Sequence, residues 1–213
     1  MTSQAYFVQP PRIAVWLLNL FTPTEETESI LGDLLEEYSC VASKSGVAFA
    51  RSWYWRQTVK TIAHFAGTGF RVAPWSTIVA VVGGFLLLQL GFQLQERAIF
   101  AVLERYSVFE HYFRAYVFFA SYGLDIGRVI LSMFVGCIVA LAAREREMVA
   151  TTTLSLVLGA MAGAASLEWV AKGHASILWM QLQWHCASSI AIVLGGVVVR
   201  MHRSAAATRP SGA

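Results

Sequence analysis

Beyond Pro74 the chain carries apolar runs that approach the length needed to cross a bilayer, and this limits its fold more than any other feature. A membrane helix needs about 20 largely apolar residues, because its backbone polar groups must be satisfied within the segment itself. Four stretches qualify: residues 74–93, 126–143, 148–171 and 176–199. The second is slightly short, and Arg128 near its start is expected to snorkel to the interface. Composition agrees: 14% of the 213 residues are charged and 56% are hydrophobic, whereas a soluble domain has about 25% charged residues. The expected fold is all-α, an integral membrane protein built on a four-helix transmembrane bundle within residues 67–203.

Between the first two spans, residues 98–121 mix aromatics with Glu104, Arg105, Glu110, His111 and Arg114. On insertion scales a charge such as arginine costs about 2.5–3.5 kcal/mol at the centre of a span. Ile99, Leu103, Tyr106, Phe109, Phe113 and Tyr116 nevertheless keep helical spacing, so an amphipathic helix lying at the interface is expected here. A fifth span is the alternative. With four spans, Arg51, Arg56, Lys60, Arg71, Arg144, Arg146, Arg200, Arg203 and Arg209 share one side against Arg97, Arg105, Arg114, Arg128 and Lys172 on the other, and the richer side is read as cytoplasmic. Both termini are then cytoplasmic, and residues 204–213 form a disordered tail.

Residues 1–66 have a different character. Pro10 and Pro11 suit the start of a helix, where the missing amide hydrogens are not needed. Ile13, Trp16, Leu17 and Leu20 then form an apolar stripe. A second helix places Ile30, Leu31, Leu34, Leu35, Tyr38 and Val41 on one side and Asp33, Glu36 and Glu37 on the other. Ser45-Gly46 stops it, and a third helix follows with Arg51, Arg56 and Lys60 but no acid. Acidic and basic helices are expected to lie antiparallel as a small cytoplasmic three-helix domain, with ion pairs between them setting the register. Gly32, inside the second helix, predicts close approach by a neighbouring helix or by the indole of Trp53 or Trp55.

The blocks "PPRIAVWLLNLF", "ILGDLLEEY" and "ARSWYWRQTVK" resemble the second type of permease prefix domain. That domain precedes the transmembrane core of bacterial ABC-type permeases of the macrolide-exporter and FtsX-like class. The resemblance covers residues 10 to 62 and implies a bacterial inner-membrane protein connected with an ABC-type transport system. Family permeases are several times longer, with large extracytoplasmic domains that have no counterpart here. The resemblance implies no catalytic residues.

Within the spans, polar residues are few and therefore informative. Gln181, His185 and Ser188 fall at i, i+4 and i+7 on the fourth span, with Gln89 of the first as a partner for a polar path. Ionisable groups at membrane depth mark function by default, although histidine and glutamine also hydrogen-bond across bundles. Gly159 and Gly163 on the third span form a small-xxx-small pair suited to helix packing, within the chain or between copies. Cys40, Cys137 and Cys186 have no metal-like spacing, no His/Cys cluster suggests a metal, and no cofactor is expected. P-loop, zincin, nucleophile-elbow and kinase signatures are all missing, so an enzyme is not expected. Basic residues are scattered rather than patched, which sets nucleic acid aside.

These features lead to one expectation and one alternative. The first is a non-enzymatic accessory or regulatory protein whose head docks an ABC permease or ATPase through Asp33, Glu36, Glu37, Trp53, Trp55 and Arg56, with homo-oligomers also in view. The alternative is a small oligomeric transporter using the Gln181–His185–Ser188 stripe.

Overall fold

A computed structural model describes residues 9–22, 24–72, 74–171 and 175–207, without the side chains of residues 24–25, 69–72, 74, 145, 169–170, 175–181 and 206–207. All the described secondary structure is helical. The chain divides into two compact units, Met1–Pro74 and Trp75–Ala213.

The first unit holds α1 (Arg12–Phe21), α2 (Thr24–Ser45) and α3 (Val47–Val72). Gly46, at φ +84°, makes the reversal between α2 and α3, a conformation that glycine takes without steric cost. Ala14, Leu18, Tyr38, Ala50 and Tyr54 form the core, and Leu31, Leu34, Val41 and Trp53 pack around it. Tyr38 and Tyr54 meet edge to face at 5.6 Å, the favourable arrangement for two ring quadrupoles. The buried face of α1 is therefore rotated from the expected stripe. Ala14 and Leu18 are inside, Leu20 is buried as expected and Leu17 half-buried, whereas Ile13 and Trp16 are exposed. Small Ala14 and Ala50 leave room for two tyrosine rings, and that fit outweighs the burial of a larger indole.

Two further expectations are corrected in this unit. No ion pair joins Asp33, Glu36 or Glu37 to Arg51, Arg56 or Lys60 among the described residues, so apolar and aromatic packing sets the α2–α3 register. Gly32 has open space where a side chain would stand, and it serves no close approach.

In the second unit, four helices are long and apolar enough to cross a membrane: Trp75–Arg105, Phe113–Ala143, Glu147–Glu168 and Leu182–Ala205. The molecule is a multi-pass helical membrane protein. Its core joins Leu88 of α4 (Pro74–Arg105), Val135 and Val139 of α7 (Leu124–Ala143), Leu154 of α8 (Glu147–Ala171) and Ile192 of α9 (Ala175–Ala207). Backbones approach most closely where α7 and α9 cross. A side-chain carbon at Gly136 would strike the Ile192 carbonyl, and one at Gly195 would strike Met133 and Cys137 backbone atoms. Glycine removes the steric barrier, and tight helix contact replaces the hydrophobic driving force that lipid does not provide. Gly196 turns the same segment of α9 toward Thr151 of α8.

The region between the first two spans departs from expectation. No single interfacial helix covers residues 98–121. Residues 98–105 continue α4, which has 32 residues and is about 48 Å long at 1.5 Å per residue. The chain reverses through Ser107, at φ +47°, and the one-turn α5 (Val108–His111). It then rises through α6 (Phe113–Phe118) and a π-helical turn, Phe119–Gly123, directly into α7. The same i, i+3, i+4 spacing that suggested a separate amphipathic helix extends the two flanking helices instead. Leu103, 5% exposed, is part of the buried side of α4. Glu104, Arg105, Glu110, His111 and Arg114 then gather around the reversal. Residues 204–207, expected in a disordered tail, belong to α9, and residues 208–213 lie outside the described residues.

A tight clasp closes the α7–α8 turn. Arg203 of α9 donates to the Glu147 carboxylate at 2.5 Å and to the carbonyls of Arg144 and Leu141. Glu147 is buried in the first turn of α8, where the helix dipole favours an anion.

Candidate functional site

At the end of the bundle away from that clasp, the second half of α4, the first half of α7, the later turns of α8 and the first half of α9 enclose a cavity of about 530 Å3. Its polar lining is Gln89, Asp125, Arg128, Ser132, His185 and Ser188, with Ser189 beside them. Phe92, Leu158, Met161 and Trp184 supply an apolar side. The size lies within the range of about 300–1,000 Å3 usual for small-molecule sites, and the lining is the usual mixture of apolar wall and a few polar groups.

Helical periodicity explains the convergence. Asp125, Arg128 and Ser132 stand at i, i+3 and i+7 on α7, and His185 and Ser188 at i and i+3 on α9, so each set occupies one face. Side chain–backbone hydrogen bonds hold the helices around them. Gln95 of α4 donates to the Leu124 carbonyl at 2.8 Å, and Ser155 of α8 donates to the Ser189 carbonyl at 3.1 Å. Cys137 of α7 donates through sulfur to the Gly195 carbonyl at 3.5 Å. The π-helical turn lies immediately before Leu124 and Asp125; such turns shift the register of side chains and recur at functional sites.

Asp125 and Arg128 form an ion pair at 3.5 Å, their side chains 20% and 42% exposed. The guanidinium of Arg128 also lies 5.9 Å from the Phe92 ring centre, a cation–π contact that steadies one of its faces. Asp125 interacts electrostatically with His185 as well as with Arg128. Ser132 is fully buried, and its hydroxyl has no hydrogen-bond partner among the described residues. An unsatisfied buried hydroxyl costs about 1–3 kcal/mol, so its presence in the wall of a polar cavity calls for a functional reason.

Of the residues expected on a polar path, Gln89, His185 and Ser188 do share this cavity. The Gln181 side chain lies outside the described residues. Three residues of the site carry more than the sequence reading gave them. Asp125 stands one position outside the expected second span, Arg128 is expected at the interface, and Ser132 gives no sequence signal of its own. Their common face on α7 was the available signal.

Gly159 and Gly163 face open space among the described residues, so packing within the chain falls to other glycines, Gly136, Gly195 and Gly196 with Gly84 and Gly91 of α4. In the N-terminal unit, Asp33, Glu36, Glu37, Trp55 and Arg56 are exposed, and the Arg56 guanidinium lies 5.9 Å from the Phe49 ring centre. Trp53 belongs instead to the shell around that unit's core. No metal-binding group of His, Cys, Asp and Glu side chains occurs among the described residues.

Comparison with protein-family models, with curated proteins and with solved structures gives no match. The likeness to permease prefix domains rests on the three sequence blocks alone.

Proposed function

We propose that the protein admits a small polar solute into the cavity between α4, α7, α8 and α9, as a binding step in moving that solute across or out of the membrane. The observation that carries this reading is the meeting of Asp125, Arg128, His185, Ser132, Gln89 and Ser188 from three helices around one space. Charges inside a span are costly, and they persist where they line solute or ion paths. With the cationic loops on the cytoplasmic side, both termini lie inside a bacterial inner membrane and the cavity occupies the outer half of the bundle. The tripartite clasp of Arg203 on the opposite end is consistent with a path open at one end and shut at the other.

Thiol accessibility tests this. The native cysteines are replaced, and Ser188→Cys and Leu156→Cys are compared in proteoliposomes with a charged, membrane-impermeant methanethiosulfonate. Leu156 is 74% exposed and does not line the cavity, so it controls for contact with lipid. Position 188 is expected to react and position 156 to stay inert. Equal protection of both rejects a solute cavity.

A second reading concerns the N-terminal unit. Asp33, Glu36 and Glu37 carry no ion pair among the described residues, and the unit also exposes Trp16 and Trp55. Acidic side chains joined to exposed indoles suit a basic partner, and the prefix-domain resemblance suggests an ABC-type permease or ATPase. Reversal of the three acids to lysine is expected to remove the co-purifying partner. An unchanged set of co-purifying proteins excludes docking through this face.

A further inference from the structure

The cavity's charges restrict what it accepts, and the argument that follows rests on the solute-cavity reading above. Asp125 and Arg128 sit one turn apart on α7 with opposite charge, and each retains exposure toward the cavity despite their mutual contact. A solute bearing only an anion satisfies Arg128 but meets Asp125. One bearing only a cation meets the reverse conflict. A solute with both charges a few ångströms apart satisfies both, and it brings no net charge into a region where net charge is expensive. Phe92 holds one face of the guanidinium, and the N–H groups not turned toward Asp125 can donate in the plane.

A second, independent observation supports the same ligand class. The Ser132 hydroxyl is wholly buried, lines the cavity and lacks a partner among the described residues, so it is available to donate to an anionic oxygen or to accept from an ammonium. Leu158, Met161 and Trp184 also line the cavity and offer apolar contact to a substituent. We infer that the cavity is a zwitterion site, taking a molecule with adjacent carboxylate or phosphate and ammonium groups and an apolar substituent. Two sources carry that chemistry: free amino acids and the ethanolamine headgroup of a phospholipid.

Full-length protein in nanodiscs separates the possibilities. Leucine and phenylalanine are each titrated beside the matching deaminated acid and decarboxylated amine, with thermal unfolding as the readout. In parallel, native mass spectrometry measures retained phosphatidylethanolamine against phosphatidylglycerol. The zwitterions are expected to stabilise the fold and the singly charged analogues to fail. Selective retention of phosphatidylethanolamine without amino-acid binding supports the headgroup as the source. Asp125→Asn and Arg128→Gln are expected to weaken binding about tenfold or more, and Ser132→Ala to weaken it less. Should either charge variant fail to fold, the double variant leaves no unpaired charge and is expected to fold while losing the zwitterion. Gly159→Ala, on open surface, is expected to bind normally.

Equal binding of the acid or the amine overturns the inference, as does undiminished zwitterion binding by the double variant. Absence of every zwitterion while Ser188→Cys remains reactive rejects the zwitterion and leaves the solute cavity standing. Absence of both binding and reactivity rejects the cavity reading itself.

Discussion

Tyr54 lies at the centre of the N-terminal unit, 1% exposed and edge-on to Tyr38. Burial penalises the phenolate and pushes the Tyr54 hydroxyl above its ordinary value. The folded state therefore holds this proton more tightly than the unfolded chain does. The resulting stabilisation is fully present below the ordinary tyrosine value of about 10, and it is lost as pH rises through the folded value. Hydrogen exchange of α2 and α3 is expected to accelerate above about pH 10, and Tyr54→Phe to blunt the acceleration. No difference between the two proteins would remove Tyr54 as its cause. Individual residues of the cavity were unevenly legible beforehand. Gln89, His185 and Ser188 stand out because polar side chains are rare in apolar runs. Asp125 did not, because hydropathy placed the start of its span at residue 126 while the helix begins thirteen residues earlier, at Phe113 (113 to 126). One misplaced boundary turned a membrane carboxylate into a loop residue and left Arg128 without its partner. Ser132 was invisible in another way, since a serine within a span reveals nothing until its hydrogen-bond partner is sought.

Among helices, glycine spacing indicates where close approach is allowed but not where it occurs. Gly159 and Gly163 have the spacing of a packing motif but open space around them among the described residues, whereas Gly136, spaced by four from Ser132 and Ala140, and Gly195, spaced by four from Ala191, carry the α7–α9 crossing. Gly136→Ala is expected to cost about 1–3 kcal/mol, because the obstacle is the Ile192 backbone rather than a movable side chain. Gly159→Ala and Gly32→Ala are expected to be neutral or to stabilise by up to about 1 kcal/mol. Reversible unfolding in mixed micelles measures all three. A loss at Gly159 equal to that at Gly136 would mean that Gly159 contacts a second copy of the chain. The helical class and the four spans were legible from apolar periodicity, and so was the stop at Gly46. The faces were less so: α1 buries Ala14 and Leu18 and exposes Trp16, because volume at a contact depends on partners that no single helix reveals. The reversal at Ser107 was hidden for a related reason. Periodicity continues smoothly through residues 98–116, and only the cluster of charges marks the turn.

At the scale of the molecule, two different chemistries share one chain. A three-helix unit with a tyrosine-centred core exposes acids and indoles, while a four-span bundle is drawn together by glycine contacts, backbone to backbone where α7 and α9 cross, and fastened by Arg203 at one end. The bundle holds its polar side chains apart from lipid by turning them into a shared space at the other end. That arrangement has meaning only if water reaches the space, since dry hydrocarbon makes a carboxylate, a guanidinium and an unsatisfied hydroxyl hard to keep. Met161 lines the cavity and is 48% exposed; Met133 is 41% exposed and lies outside its lining. Hydroxyl-radical footprinting in intact membranes compares two thioethers of equal intrinsic reactivity that differ in access to water. Met161 is expected to oxidise several-fold faster than Met133. Equal, slow oxidation of both would mean that the space is dry, and the account of a solute site would then be wrong.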